Sequence, residues 1–117
     1  MGTQKIAVII ILGLLLATNP LADGGIGQWC IADPQAPPQI LQGALDWACG
    51  AGGADCTAVQ WNQPCFEPNT LVFHASYAFN SYWQKNKHKG ASCHFNSASY
   101  VTESNPSSGG CKYMYVP

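Results

Sequence analysis

The chain has 117 residues, with five lysines, no arginine and six acidic residues, for a net charge of −1. That length holds one domain at most. Without arginine, and with so little net charge, the chain lacks the electrostatic footprint of a nucleic-acid binder.

The first element is a targeting segment. Lys5 precedes an unbroken apolar run over 6–17, and small residues follow at Ala17 and Ala22. A basic start, an apolar stretch and a small-residue cleavage site predict a secretory signal peptide over 1–22. The run is too short to span a bilayer, which needs roughly 20 apolar residues. Removing it leaves all six cysteines, between Cys30 and Cys111. A chain this short buries too little apolar surface for comfortable stability. Three disulfides would make up the difference at about 2–4 kcal/mol each, and the secretory route is oxidising.

Residues 23–28 read as a flexible lead-in, and 29–117 as the folded domain. Pro37 and Pro38 mark a turn, and a helix is predicted over 38–49. Leu41, Ala44, Leu45 and Ala48 share its apolar face. Gly50 to Gly53 end it. The stretch 54–68 is rich in turn residues. A second helix is predicted over about 69–85, with Asn69 as N-cap. Leu71, Ala75, Ala78, Phe79 and Tyr82 form its apolar face. Three pieces lean towards strand, at 93–95, 98–102 and 111–116. The fold class is therefore α+β, a small disulfide-rich domain with two packed helices, a small antiparallel sheet and long coil segments.

Catalytic signatures are weak. Glycoside hydrolysis needs two carboxylates across the scissile bond, and Asp46 with Glu67 is the one pair to consider. A surface acid on the first helix and a turn acid before the second account for both. No Cys-x-x-Cys and no Gly-x-Ser-x-Gly occurs. The three histidines are scattered, and His74 inside the second helix reads as a hydrogen-bonded structural group. No catalytic residue, metal site or cofactor is expected.

Aromatic residues stand out instead, with four Trp, five Tyr and four Phe. Rings stack on the C–H face of a sugar while amides and hydroxyls bond its hydroxyl groups. At 100° per residue, Phe73, Tyr77, Asn80 and Gln84 fall together on the second helix. The predicted contact line is Tyr77, Asn80 and Gln84, flanked by Phe73, Trp83 and Trp61. The competing expectation is that Phe73 and Tyr77 are buried under neighbouring elements.

Several blocks carry a family resemblance: Trp29-Cys-Ile-Ala-Asp33, Leu45-Asp-Trp-Ala-Cys49, Ala54-Asp-Cys56, Pro64-Cys-Phe-Glu-Pro-Asn-Thr70 and His74-Ala-Ser-Tyr-Ala-Phe-Asn80. In these the chain resembles the plant X-eight domain, also classed as carbohydrate-binding module family forty-three. The resemblance runs from Trp29 to about Tyr113 and includes every cysteine. It implies non-catalytic binding of β-1,3-glucan such as callose, by a soluble stand-alone member akin to small secreted pollen allergens. It implies the cell wall, and plasmodesmata within it, as location. A monomer is expected, and no membrane anchor, since residues 111–117 carry neither a polar spacer nor an apolar tail. The resemblance also implies the pairs Cys30–Cys93, Cys49–Cys111 and Cys56–Cys65, where the sequence alone leaves fifteen pairings open. His94 departs from the Asp that many relatives carry there. The alternative is a small secreted cysteine-rich defence or signalling protein acting on a membrane or receptor, supported by the short basic run Lys85 to Lys89.

Overall fold

The computed structural model describes residues 26–117, so the expected signal peptide over 1–22 lies outside the described residues. Four main elements follow in order: strand β1 (Trp29–Ala32), helix α1 (Pro38–Cys49), helix α2 (Leu71–Asn86) and strand β2 (Ser99–Thr102). Single turns of 3-10 helix sit at Thr57–Val59 and Lys87–Lys89.

Helix α1 has the predicted bounds. Proline in its first turn is preset for helix, and Leu41, Ala44 and Ala48 are buried against α2. Helix α2 starts at Leu71, two residues later than expected. Its cap is Thr70, not Asn69: the Thr70 Oγ1 accepts from the Phe73 N–H at 3.2 Å. Ala75, Ala78 and Phe79 are wholly buried, and Phe79 lies flat on Phe95, with ring centroids 4.1 Å apart.

The sheet has two antiparallel strands, with Trp29 opposite Thr102 and Ala32 opposite Ser99. Of the three predicted strand pieces, only 98–102 forms a strand. Residues 93–95 enter a reversal in which Phe95, Asn96 and Ser97 all have positive φ. Residues 111–116 make only an isolated bridge, Ser108 with Cys111. The partner of β2 is instead β1, a stretch too short to carry a strand pattern.

Side chains of α2 take the place of a third strand. The Ser76 Oγ accepts from the Ala32 N–H at 2.9 Å, the Asn80 Oδ1 from the Cys30 N–H at 3.1 Å, and the Gln84 Nε2 donates to the Gln28 carbonyl at 2.8 Å. Four helical residues rise about 6 Å, close to the roughly 6.6 Å of two strand residues. The two elements therefore stay in step over two repeats. The same amides hold the C-terminal tail: Asn80 Nδ2 donates to the Met114 carbonyl, and Gln84 Oε1 accepts from the Val116 N–H. Gln28, read from sequence as part of a flexible lead-in, is thus tied to the helix.

All six cysteines are paired, but two of the expected pairs are corrected. Cys30–Cys93 forms as expected, whereas the others are Cys49–Cys56 and Cys65–Cys111. The reason lies in the turn after α1. Gly52 and Ala54 donate back to the carbonyls of Trp47 and Ala48, at 2.8 Å each. Gly53, with positive φ, completes the reversal. This returns Cys56 to 5.7 Å from Cys49, Cα to Cα. Cys65 is left for Cys111, which the Ser108 bridge turns inward.

Candidate sugar-binding surface

The segment between α1 and α2 is a series of tight turns. The Gln63 N–H bonds to the Gln60 carbonyl, the Phe66 N–H to that of Gln63, and the Cys65 N–H to that of Ala58. Asn62 takes a left-handed conformation, which asparagine tolerates. The outcome is that Trp61 points into solvent, 75% exposed. Phe66 is fixed from behind. The His74 Nε2 donates to its carbonyl at 2.7 Å, and the two rings lie 5.4 Å apart. His74 is the hydrogen-bonded structural group that the sequence predicts.

From Trp61 a row of three depressions crosses the surface. The first, about 440 Å³, lies among Trp61, Asn62, Gln63 and Phe66. It shares Pro64 and Glu67 with a second of about 80 Å³. The second shares Phe73, Pro106 and Tyr113 with a third of about 190 Å³, which ends at Ile31 and Tyr100. Phe73 is 48% exposed on the first turn of α2, and Tyr100 is exposed on β2.

Tyr113, which lines the second and third depressions, meets Tyr77 edge to face at 5.2 Å. Burial, and then the negative charge of Asp55, pushes the Tyr77 hydroxyl above its ordinary range. Tyr113 is pushed up to about 12, by burial first and by Tyr77 second. Asp55 itself is held low by hydrogen bonds from the backbone and side chain of Thr57. Both phenols are therefore neutral hydroxyl groups at ordinary pH, able to donate and to accept.

The predicted contact line is split by the structure. Phe73, Trp61 and the half-buried Tyr77 belong to the ring row or its backing. Asn80 and Gln84 do not. They are 1% and 2% exposed, with their amides committed to β1 and the tail. This corrects their reading as sugar contacts, because a buried amide already bonded on both ends has nothing to offer a ligand. Trp83 is also buried, on a different side, with the Lys87 ammonium 4.9 Å over its ring and 5.3 Å from Tyr115. Burial lowers the Lys87 pKa. Sequence reasoning missed Phe66, Tyr100 and Tyr113 as members of the row. Their signal was present in the aromatic surplus, but turns and tail have no periodicity to place them.

Comparison with known proteins agrees with these observations. A family model for the X8 domain matches residues 28–100. The chain is 54% identical over 90 residues to glucan endo-1,3-beta-glucosidase 12 of Arabidopsis thaliana, which covers 77% of the chain but 17% of that protein. It is 45% identical over 103 residues to plasmodesmata callose-binding protein 5 of the same plant, covering 86% of the chain and 57% of that protein. A wheat (Triticum aestivum) glucan endo-1,3-beta-glucosidase is 44% identical over 90 residues, covering 77% of the chain and 19% of that protein. The chain thus spans less than a fifth of the length of these glucosidases.

Proposed function

The chain belongs to the X8 domain family, and from that premise we propose that it is a non-catalytic binder of β-1,3-glucan. The observation that carries this reading is the row of rings from Trp61 through Phe66, Phe73 and Tyr113 to Tyr100 along linked depressions. Glu67 is the one charged side chain lining it. Uncharged rings flanked by Asn62, Gln63 and tyrosine hydroxyls suit a neutral polymer of sugar rings. A single carboxylate does not supply the acid and base that glycosidic hydrolysis requires. Asp46, the other acid of the expected pair, accepts from Gln42 on the outer side of α1. The resemblance to a callose-binding protein supports the same ligand class.

The setting follows from this ligand: a protein exported through the predicted signal peptide, acting as a monomer in the cell wall on callose-type glucan, at plasmodesmata among other places. The membrane-active alternative draws less support, because the basic run is largely engaged. Lys85 donates to the Gly53 carbonyl, and Lys87 sits over Trp83 and Tyr115.

Affinity electrophoresis through laminarin, a soluble β-1,3-glucan, tests the reading. The wild-type protein is retarded. Phe73→Ala and Trp61→Ala each weaken binding roughly fivefold, the loss of about 1 kcal/mol of ring contact. Retardation is nearly independent of salt, since a neutral polymer releases no counterions. Unretarded migration of the oxidised wild-type protein overturns the proposal.

A further inference from the structure

A second groove lies across α2 from the ring row. It encloses about 450 Å³ between α1 and the reversal at residues 92–96, within the range of about 300–1,000 Å³ typical of ligand sites. Trp47 lies along it, 46% exposed, with its ring edge-on to Tyr82 at 5.1 Å and Phe95 at 6.2 Å.

Three features of this groove each cost stability. First, a large indole is left half in water. Second, Gly43 sits inside α1, where glycine costs about 1 kcal/mol relative to alanine. No atom lies within 4 Å of where its Cβ would be, so a side chain there would occupy the groove and not the core. Third, Phe95 and Asn96 on the groove's far wall, and Ser97 after them, hold φ of 46°, 56° and 65° in succession. Such conformations are rare for non-glycine residues, above all for a bulky one. The Trp47 ring is also fixed from beneath. A Cβ on Gly52 would come within 2.7 Å of it, so the backbone there presses against the indole. The ring is held in place before any ligand arrives.

The lining is chemically specific. It contains no lysine and no carboxylate, while Ser92, His94 and Asn96 supply hydroxyl, imidazole and amide beside the indole. That set suits a neutral polyhydroxylated ring better than an anion or a basic peptide. Tyr82 and Phe73 are nine residues apart on α2, which is 900° of rotation, or half a turn beyond two full ones. The two aromatic surfaces therefore face opposite ways.

We propose that the Trp47 groove is a second β-1,3-glucan site, so that one domain bridges two glucan strands. This rests on the reading of the ring row as a glucan surface. The test is calorimetric titration of the full secreted chain with a short β-1,3-linked glucose oligomer, together with light scattering from mixtures with laminarin. Wild-type protein takes up two oligomers and raises the scattering of laminarin. Trp47→Ala takes up one and no longer raises it. Gly43→Leu does the same by filling the groove without disturbing the indole, and it favours the helix, so a folding failure of Trp47→Ala leaves the test intact. Phe73→Ala combined with Trp61→Ala also leaves one site and no bridging. Uptake of one oligomer by wild type and still one by Gly43→Leu overturns the second site alone. Uptake of one by wild type and none by Gly43→Leu overturns bridging and moves the only site to this groove. No uptake by wild type overturns the reading on which both rest.

Discussion

Helix α2 has two kinds of polar and aromatic surface, and they do opposite work. Along one line, Ser76, Asn80 and Gln84 are buried and act as a strand substitute for β1 and a clamp for the tail. Only a short way round, Phe73 and Tyr77 stand at the edge of solvent beside Tyr113. From sequence the two lines merge, because amides and rings alternate at helical spacing. The structure separates them by what lies opposite: extended backbone with unpaired N–H and C=O groups in one case, water in the other. An amide beside a ring is thus a sugar contact only where no backbone claims it first.

Cutting the clamp has the greatest consequence. Asn80→Ala leaves the Cys30 N–H and the Met114 carbonyl without partners. A buried group stranded in this way costs about 1–3 kcal/mol, so the variant loses about 3 kcal/mol in chemical denaturation with disulfides intact. The fraction that remains folded binds laminarin with wild-type affinity. Loss of affinity at unchanged stability would return Asn80 to the binding surface and dissolve the distinction.

The two faces of α2 also account for what the sequence reveals. Helix α1 is readable to the residue because it buries one stripe, Leu41, Ala44 and Ala48, and caps that stripe with Pro38 and Gly50. Helix α2 is readable in extent but not in exposure, since it is covered by α1 on one side and by β1 and the tail on another. Extended backbone held by side chains has no two-residue alternation to detect. Strand β1 and the segment 111–116 were hard to place for that reason. In the tail, the Tyr113 N–H goes to the Ser107 Oγ and the Val116 N–H to Gln84, not to a ladder. Disulfide pairing depends on the reversal at Gly52 and Gly53, which no spacing rule encodes. Trp61 and Phe73 are legible as exposed rings because each lies where no apolar stripe needs it. Trp47 also stands exposed, at the edge of the α1 stripe with Gly43 one turn before it.

An intermediate effect comes from two phenols, Tyr113 in the ring row and Tyr77 against it. Folded Tyr113 is pushed from an ordinary 10.0 to about 12. Between those values the unfolded chain has released a proton that the folded chain still holds. Stability contributed by the neutral phenol is complete below pH 10 and declines as pH rises towards 12. Tyr77, also raised, acts in the same direction. Denaturant midpoints measured below and within that window should fall with rising pH, and Tyr113→Phe should flatten the decline. An equally steep decline in Tyr113→Phe would mean that lysine deprotonation, not this phenol, sets the alkaline limit.

The smallest effect is the most discriminating. If Phe73 is a surface platform and not part of the core, Phe73→Ala changes stability by less than about 0.5 kcal/mol. The ring is about half exposed, so its removal gives up limited burial, and alanine is the better helix former in the first turn of α2. The Thr70 cap is unaffected, because it bonds the backbone of residue 73 and not its side chain. Stability and binding then separate along a single helix: Asn80→Ala unfolds the domain without weakening its folded form's grip, and Phe73→Ala weakens the grip without unfolding it. A loss of several kcal/mol in Phe73→Ala would instead show that Phe73 closes the core against Pro106 and Tyr113, and the ring row would then be a seam of the fold, not a surface for a ligand.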